Sequence, residues 1–459
     1  MNAQLSFWIF AAACALAACV AAWRLERKTS VGVGLAVSLL AATWFQLTPL
    51  ETPLHVQSAV AAALMIAFCV HSLRRIWSPI TLLDCLMASM VVWNVVADSM
   101  ASGFDLVLPF RAYGEWALPY VTGRFAVMHR DALGHLAPWF AGAGALIGLA
   151  AISESLTGIN LWEACFVEID DLVQTHRAKR FDLAYRALGP TRHPIFLAVV
   201  LLTVIPWAIG WRESGPSRRD KILATLALVS ISCGMLATLS RGPVLAALFG
   251  VAFAAAVFNR IARGVLIATV VLGGLVAYWQ SDALLDWLDS TEGRKTVVIV
   301  DDEERVYSGS RNRLFVLEIY GPLIPRGGVF GYGTEAVSSF PPNIPGLPTE
   351  ASSRERLGIV DNSFILVGLR FGLIGLGLLI ALFLSAVVGC LSLNRVASTF
   401  FFPVGSQFVV ALAAVLLALA IEVTTVFWSY DFAFWILFLF GVVSGMQVRA
   451  KLVTAGRID

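Results

Sequence analysis

Residues 362–391 read NSFILVGLRFGLIGLGLLIALFLSAVVGCL, thirty positions in which Arg370 is the single charge. About 20 such residues already cross about 30 Å of hydrocarbon with every backbone amide satisfied inside the helix. Outward from this run, similar apolar stretches occupy 4–23, 31–48, 56–73, 79–97, 136–153, 194–211, 221–240, 242–258, 264–280, 402–427 and 432–448, which makes twelve spans. The composition agrees: 58% of the 459 residues are hydrophobic, 14% are charged, and the mean hydropathy is +0.78. A soluble domain of this size has neither the interior to hide so much apolar surface nor, with so few charges, the means to stay dissolved, so a soluble enzyme is excluded. The near balance of 33 basic and 31 acidic residues, with no long basic run, excludes a nucleic-acid partner. Six of the seven cysteines lie inside apolar stretches and only Cys165 is in a polar one, so no disulfide framework is implied.

The sequence predicts an all-α polytopic membrane protein with about 12–13 transmembrane helices and a large extracytoplasmic loop. Span 4–23 is no signal peptide, since no basic residue precedes it and Arg24, Arg27 and Lys28 follow it. Basic residues collect on the cytoplasmic side. Twelve crossings would place the basic 212–221 loop on the wrong side, so one crossing is missing, and Phe104 to Thr122, weakly apolar and interrupted by Arg111, Glu115 and Pro119, is the candidate. Thirteen crossings put the C-terminus in the cytoplasm. The alternative is a surface helix at 104–122 with the N-terminus inside. With thirteen, the polar segments 154–193 and 281–361 both lie outside. We divide the chain into a helical bundle at 1–280 that includes the outer loop 154–193, a large periplasmic loop at 281–361, and C-terminal transmembrane helices at 362–459. The large loop holds 21 of the 64 charged residues and six prolines in 81 positions, too long an excursion for an idle connection.

Four stretches carry candidate chemistry. Arg186 to Pro194 leads from the outer loop into a helix, where Pro194 suits the first position and orphan N–H groups attract anions. Arg186, Arg192 and His193 beside that end would form a phosphate site, or the arginines only mark the membrane interface. Ser240-Arg241-Gly242-Pro243 breaks two spans at the outer surface, where an arginine defies the basic-inside tendency and a simple hairpin needs none. In the large loop, Ser310 to Glu318 looks helical, with Arg311 and Arg313 about 200° apart, so at most one faces a given anion; Gly331-Tyr332-Gly333 follows. Asp361-Asn362 closes the loop, with Asp361 either an N-cap or a base at the membrane surface.

Two buried charges, Arg370 and Glu422, lie at similar depths of about 12 and about 9 Å by helical rise, which suggests a structural ion pair. Asp84 and Asp98 on one span could form a relay, without a matching lysine. No zinc spacing or phosphate-binding loop of the Gly-x-x-x-x-Gly-Lys type occurs, and Asp170-Asp171 and Asp301-Asp302-Glu303-Glu304 read as solvated acidic turns, so no metal and no cofactor is expected.

Together, the arginine-to-proline lead-in at 186–194, the Ser240-Arg241-Gly242 corner, the late outer loop with Gly331-Tyr332-Gly333, and Asp361-Asn362 resemble the superfamily of O-antigen ligases and Wzy-type polysaccharide polymerases. The resemblance implies a GT-C-like membrane glycosyltransferase of the bacterial inner membrane with its active site facing the periplasm. It implies a polyprenyl-diphosphate-linked oligosaccharide donor, a saccharide acceptor, and a flippase and a chain-length regulator as further partners in the bilayer. On that footing Arg241 is the expected catalytic arginine, Asp361 the catalytic base, and Arg186, Arg192, His193, Arg311, Arg313 and Asn362 the diphosphate- and substrate-binding set. Ligases of the superfamily usually carry His where this chain has Asp361, which favours a polymerase over a ligase acting on lipid A core. A lipid or polysaccharide transporter is the alternative from another class, and would use intramembrane charges around a central cavity.

Overall fold

The computed structural model describes residues 11–16, 18–19, 27–47, 54–76, 79–128, 132–165, 184–280, 295–300, 303–308, 311–339, 342–347, 360–395 and 405–455. In chain order its helices are α1 (Arg27–Leu40), α2 (Val56–Ile76), α3 (Leu82–Ser102), α4 (Val107–Ala112), α5 (Leu118–Ala126), α6 (Ala132–Thr157), α7 (Leu161–Cys165), α8 (Pro194–Ser214), α9 (Arg218–Ala237), α10 (Arg241–Phe258), α11 (Arg260–Trp279), α12 (Arg311–Tyr320), α13 (Leu323–Arg326), α14 (Thr334–Ser338), α15 (Ser363–Asn394), α16 (Ser406–Glu422) and α17 (Tyr430–Thr454). Two short antiparallel ribbons complete it, Gln46–Leu47 with Leu54–His55 and Lys295–Val300 with Glu303–Ser308. Among the described residues seven helices, α3, α6, α8, α9, α10, α15 and α17, are long and apolar enough to cross a membrane. The chain is an all-α polytopic membrane protein.

Two apolar runs are shorter as helices than their sequences suggest. The run at 31–48 leaves the helix at Leu40, because the Ala41 carbonyl accepts from Gln57 Nε2 and the Thr43 amide donates to the Pro190 carbonyl. The run at 402–427 ends its helix at Glu422, and the carbonyls of Val423 and Val426 then accept from the amide and hydroxyl of Ser363. Both departures tie a chain turn to the same end of the bundle.

The weakly apolar stretch suspected of hiding a crossing is a continuous helix from Val107 to Ala126, through a π turn at Tyr113–Ala117. At 1.5 Å per residue it runs about 30 Å. Its charges have counter-charges nearby: Arg111 pairs with Asp98 at 2.5 Å and Arg124 with Asp84 at 2.8 Å, while Glu115 lies in the field of Arg111 and Arg370. Gly441 and Gly445 of α17 lie directly on the backbone oxygens of Tyr120 and Arg124, the small-xxx-small spacing that lets helices close on each other where no water drives them together. Counting this helix makes successive helices alternate in direction. Ser102, Thr157, Ala237, Arg241, Ser363, Glu422 and Tyr430 then share one end, while Arg212, Arg218, Arg219, Lys221, Arg260, Arg263, Arg395 and Lys451 share the other.

The second half of the large loop is docked on the bundle. Val316, Tyr320, Leu323, Ile324, Val337, Ile344 and Val360 form a buried cluster with Ile365, Leu366 and Leu369 of α15. There α15 breaks at Gly372, whose φ of 67° only glycine adopts without strain. The freed groups are re-satisfied: Tyr332 N donates to Leu369 O at 2.8 Å, Gly333 N to Arg370 O at 3.0 Å, Trp93 Nε1 to Phe371 O at 2.8 Å, and Leu373 N to Gly328 O at 3.1 Å. A helix can open at membrane depth only where neighbours replace its lost hydrogen bonds.

Candidate functional site

Arg186 and the Ser240-Arg241-Gly242 corner, remote in sequence, meet. Arg186 donates from Nε to the Thr238 carbonyl at 3.4 Å and from Nη2 to Ser240 Oγ at 3.3 Å. The turn between α9 and α10 is tight enough to force Leu239 to a φ of 49°, the one non-glycine residue with positive φ among those described. A branched side chain held there costs about 1–3 kcal/mol, and such strain collects at functional sites. Arg241 follows at the first position of α10, exposed, at the rim of a cavity of about 360 Å³ whose other walls include Leu236, Leu239, Val244 and Leu245. Arg241 thus shares the lining of an apolar groove.

The next residue, Gly242, lies against a carboxylate. A Cβ there would stand 2.9 Å from Glu422 Oε2 and 3.0 Å from Oε1, and Glu422 is 1% exposed. Ser240 makes no side-chain cap on α10, so the negative group at this positive helix end is Glu422, brought from the end of α16. Sequence reasoning paired Glu422 with Arg370, and the structure corrects that. Glu422 sits at the Arg241 corner, whereas Arg370 donates from Nη2 to Ser338 Oγ at 2.9 Å and faces Glu115 and Asp98. Depth along two helices cannot say which faces meet. The role of Glu422 had no local signal.

The 186–194 lead-in is held by a buried knot. Glu154 accepts from Asn160 Nδ2 at 3.0 Å and from Gly189 N at 2.9 Å. Arg192 pairs with Asp431, its backbone N at 3.0 Å and its Nε at 3.3 Å; Thr43 Oγ1 and Ser429 Oγ also donate to that carboxylate. His193 is the N-cap of α8, its Nδ1 accepting from Ile195 N at 3.1 Å. Arg192 and His193, expected as anion ligands, make these contacts within the lead-in. Beneath them His55 donates from Nδ1 to the Thr43 carbonyl and stacks on Tyr430 at 3.8 Å; burial and the neighbouring Arg192 push its pKa down to about 4.

At the head of α15 the N-cap is Asn362, whose Oδ1 accepts from Ile365 N at 3.0 Å, and not Asp361. Asp361 stands half-buried one residue earlier, so its carboxylate is not the cap its sequence position allowed. Ser363, the first helical residue, is tied to Val423 and Val426 in the turn that follows Glu422. Asp361 and the Arg241 corner thus flank one turn. Arg311 and Arg313 begin α12 as expected, and their side chains lie outside the described residues, as do Asp170, Asp171, Asp301 and Asp302. The two carboxylates considered as a relay are each engaged with an arginine, Asp84 with Arg124 and Asp98 with Arg111, and Asp98 also accepts from Thr334 N at 2.7 Å.

A family model matches part of the chain. Residues 226–380 match the O-antigen ligase family. The match places this third of the chain in the superfamily of O-antigen ligases and Wzy-type polymerases, and supports a ligase- or polymerase-type function. It takes in the Arg241 corner, α12, Gly331-Tyr332-Gly333, Asp361-Asn362 and the broken part of α15, and it leaves out Arg186, Arg192 and His193. No curated protein matches the chain in sequence.

Proposed function

We propose that this chain, whose residues 226–380 match the O-antigen ligase family, is a polysaccharide polymerase. It transfers glycan from a polyprenyl-diphosphate-linked saccharide to a hydroxyl of another lipid-linked saccharide at the outer face of the bacterial inner membrane. The observation that carries this reading is the corner itself: Arg241 lines an apolar cavity, and Arg186 is hydrogen-bonded to the adjoining turn. A hydrocarbon chain ending in a diphosphate needs that pairing of apolar groove and guanidinium.

In the reaction the acceptor oxygen bonds to the anomeric carbon as the bond from that carbon to the diphosphate oxygen breaks. The electron pair leaves on the diphosphate, where growing charge meets Arg241, so the guanidinium stabilises the transition state more than the ground state. The hydroxyl proton passes to the Asp361 carboxylate across the turn. Arg186 positions the corner. The end rich in Arg212, Arg218, Arg219, Lys221, Arg260 and Arg263 faces the cytoplasm, which leaves the site on the periplasmic side.

The family match favours one second reading, transfer of a finished glycan to lipid A core. Purified chain incubated with a polyprenyl-diphosphate oligosaccharide alone separates the two: a ladder of products supports polymerisation, and product only when lipid A core is added supports ligation. No product in either case, with the substrate crossing liposomes, overturns the transferase reading.

A further inference from the structure

A small pocket of about 210 Å³ lies between the Ser102 end of α3 and the loop segment 332–343 that precedes the broken helix α15. Ser102, Tyr332, Gly333, Glu335, Ser339 and Asn343 line it. By liquid volume it holds about seven waters, the scale of one sugar ring and too little for an oligosaccharide or a prenyl chain. We infer that this pocket is a subsite for one neutral pyranose unit of the acceptor glycan, an inference that rests on the glycosyl-transfer reading above.

The lining has the chemistry for a sugar. Tyr332 supplies an aromatic side chain for the C–H face of a ring, and its hydroxyl is anchored on the Leu323 carbonyl at 3.0 Å. Glu335 is an exposed carboxylate able to accept from two neighbouring hydroxyls, and Asn343 offers an exposed amide that both donates and accepts. A divalent cation would gather several carboxylates, and this lining has one.

The pocket is also built rigidly. Tyr332 N and Gly333 N are fixed to the carbonyls of Leu369 and Arg370, Thr334 N and Oγ1 to Asp98, and Asn343 N to Ala336 O and Ser339 Oγ. The first two bonds fasten it to α15 and the Thr334 bonds to α3, about 12 Å along α15 from Asn362, within reach of an acceptor whose terminal hydroxyl lies at Asp361. A ring held there would set which acceptor sugars are used without touching the donor.

The test uses the full chain in nanodiscs with a polyprenyl-diphosphate-linked oligosaccharide as donor and increasing concentrations of the same repeat as free acceptor oligosaccharide. Glu335→Gln, Asn343→Ala and Ala336→Trp alter surface side chains in and around the pocket. The acceptor KM should rise about tenfold, the scale of one lost hydrogen bond to a charged group, while kcat and the donor KM stay within about twofold. Transfer with an unchanged acceptor KM in all three variants overturns the subsite and leaves the transferase reading standing. A wild-type chain that transfers nothing to any acceptor removes that reading, and the subsite with it.

Discussion

Gly242 is a glycine because the Glu422 carboxylate occupies the place of its side chain, with both oxygens within 3.0 Å of where a Cβ would stand. The contact joins the Arg241 corner to the turn that holds Ser363, and so couples the two residues expected to carry the chemistry. Gly242→Ala should therefore displace a buried carboxylate and swing Arg241, lowering transfer at least about tenfold and stability by about 1–3 kcal/mol, as overpacking does. Glu422→Asp withdraws the carboxylate by one methylene. The double variant Gly242→Ala/Glu422→Asp should recover most of both losses, read as a positive coupling in transfer rate and thermal midpoint. Additive losses would mean that the two residues act independently.

Arg241 and Arg186 should fail differently. Arg241→Ala removes the charge that meets the departing diphosphate, so kcat should fall by about 10²–10³ with folding near normal, as when a fixed donor to a developing anion is lost. Arg241→Lys keeps the charge without the planar fork and should lie between. Arg186→Ala removes hydrogen bonds to Thr238 and Ser240. Its loss should show in thermal midpoint as well as in rate. Full transfer by Arg241→Ala would misplace the diphosphate site.

The break in α15 gives a prediction independent of chemistry. A Cβ at Gly331 would stand 2.5 Å from both Gly372 N and Leu369 O, and Gly372 is itself at a φ of 67°. Gly331→Ala should undo the bonds of Tyr332 and Gly333 to α15 and release the loop, detected as faster proteolysis around residues 327–347. Trp93→Phe leaves the Phe371 carbonyl without its indole donor, at a cost of about 1–3 kcal/mol, and should loosen the loop less.

How far the sequence could be read is clearest at particular residues. Apolar runs mark most spans, and the parity of the basic loops pointed to a further helix near 104–122, which the structure contains at Val107–Ala126 and whose Arg111 and Arg124 find their partners Asp98 and Asp84 on α3. Arg241 was legible as an arginine that defies the basic-inside tendency and Arg186 as part of a lead-in to a helix start, and Arg186 is hydrogen-bonded to the turn that precedes Arg241. The contact of Gly242 with Glu422 and the pair of Arg192 with Asp431 join residues 180 or more positions apart, where no spacing rule operates. Single-helix reasoning fixes depth and leaves azimuth open, so Arg370 and Glu422 looked like partners and are not placed as such.

His55 supplies the pH dependence. It is 2% exposed, faces Arg192, Asp431, Tyr430 and the Thr43 carbonyl, and has its pKa pushed down from 6.5 to about 4, chiefly by burial. Between these values the unfolded imidazole binds a proton that the folded one refuses, so stability is complete above pH 6.5 and falls as the pH drops toward 4. At 1.36 kcal/mol per unit the contribution at stake is about 3 kcal/mol. Thermal midpoints of the chain in detergent should fall more steeply from pH 6.5 to 4 in the wild type than in His55→Gln, which has no proton to take up there. Parallel slopes would place the acid sensitivity elsewhere, and the network of Thr43, Arg192 and Asp431 would then hold the lead-in loop without help from a neutral His55.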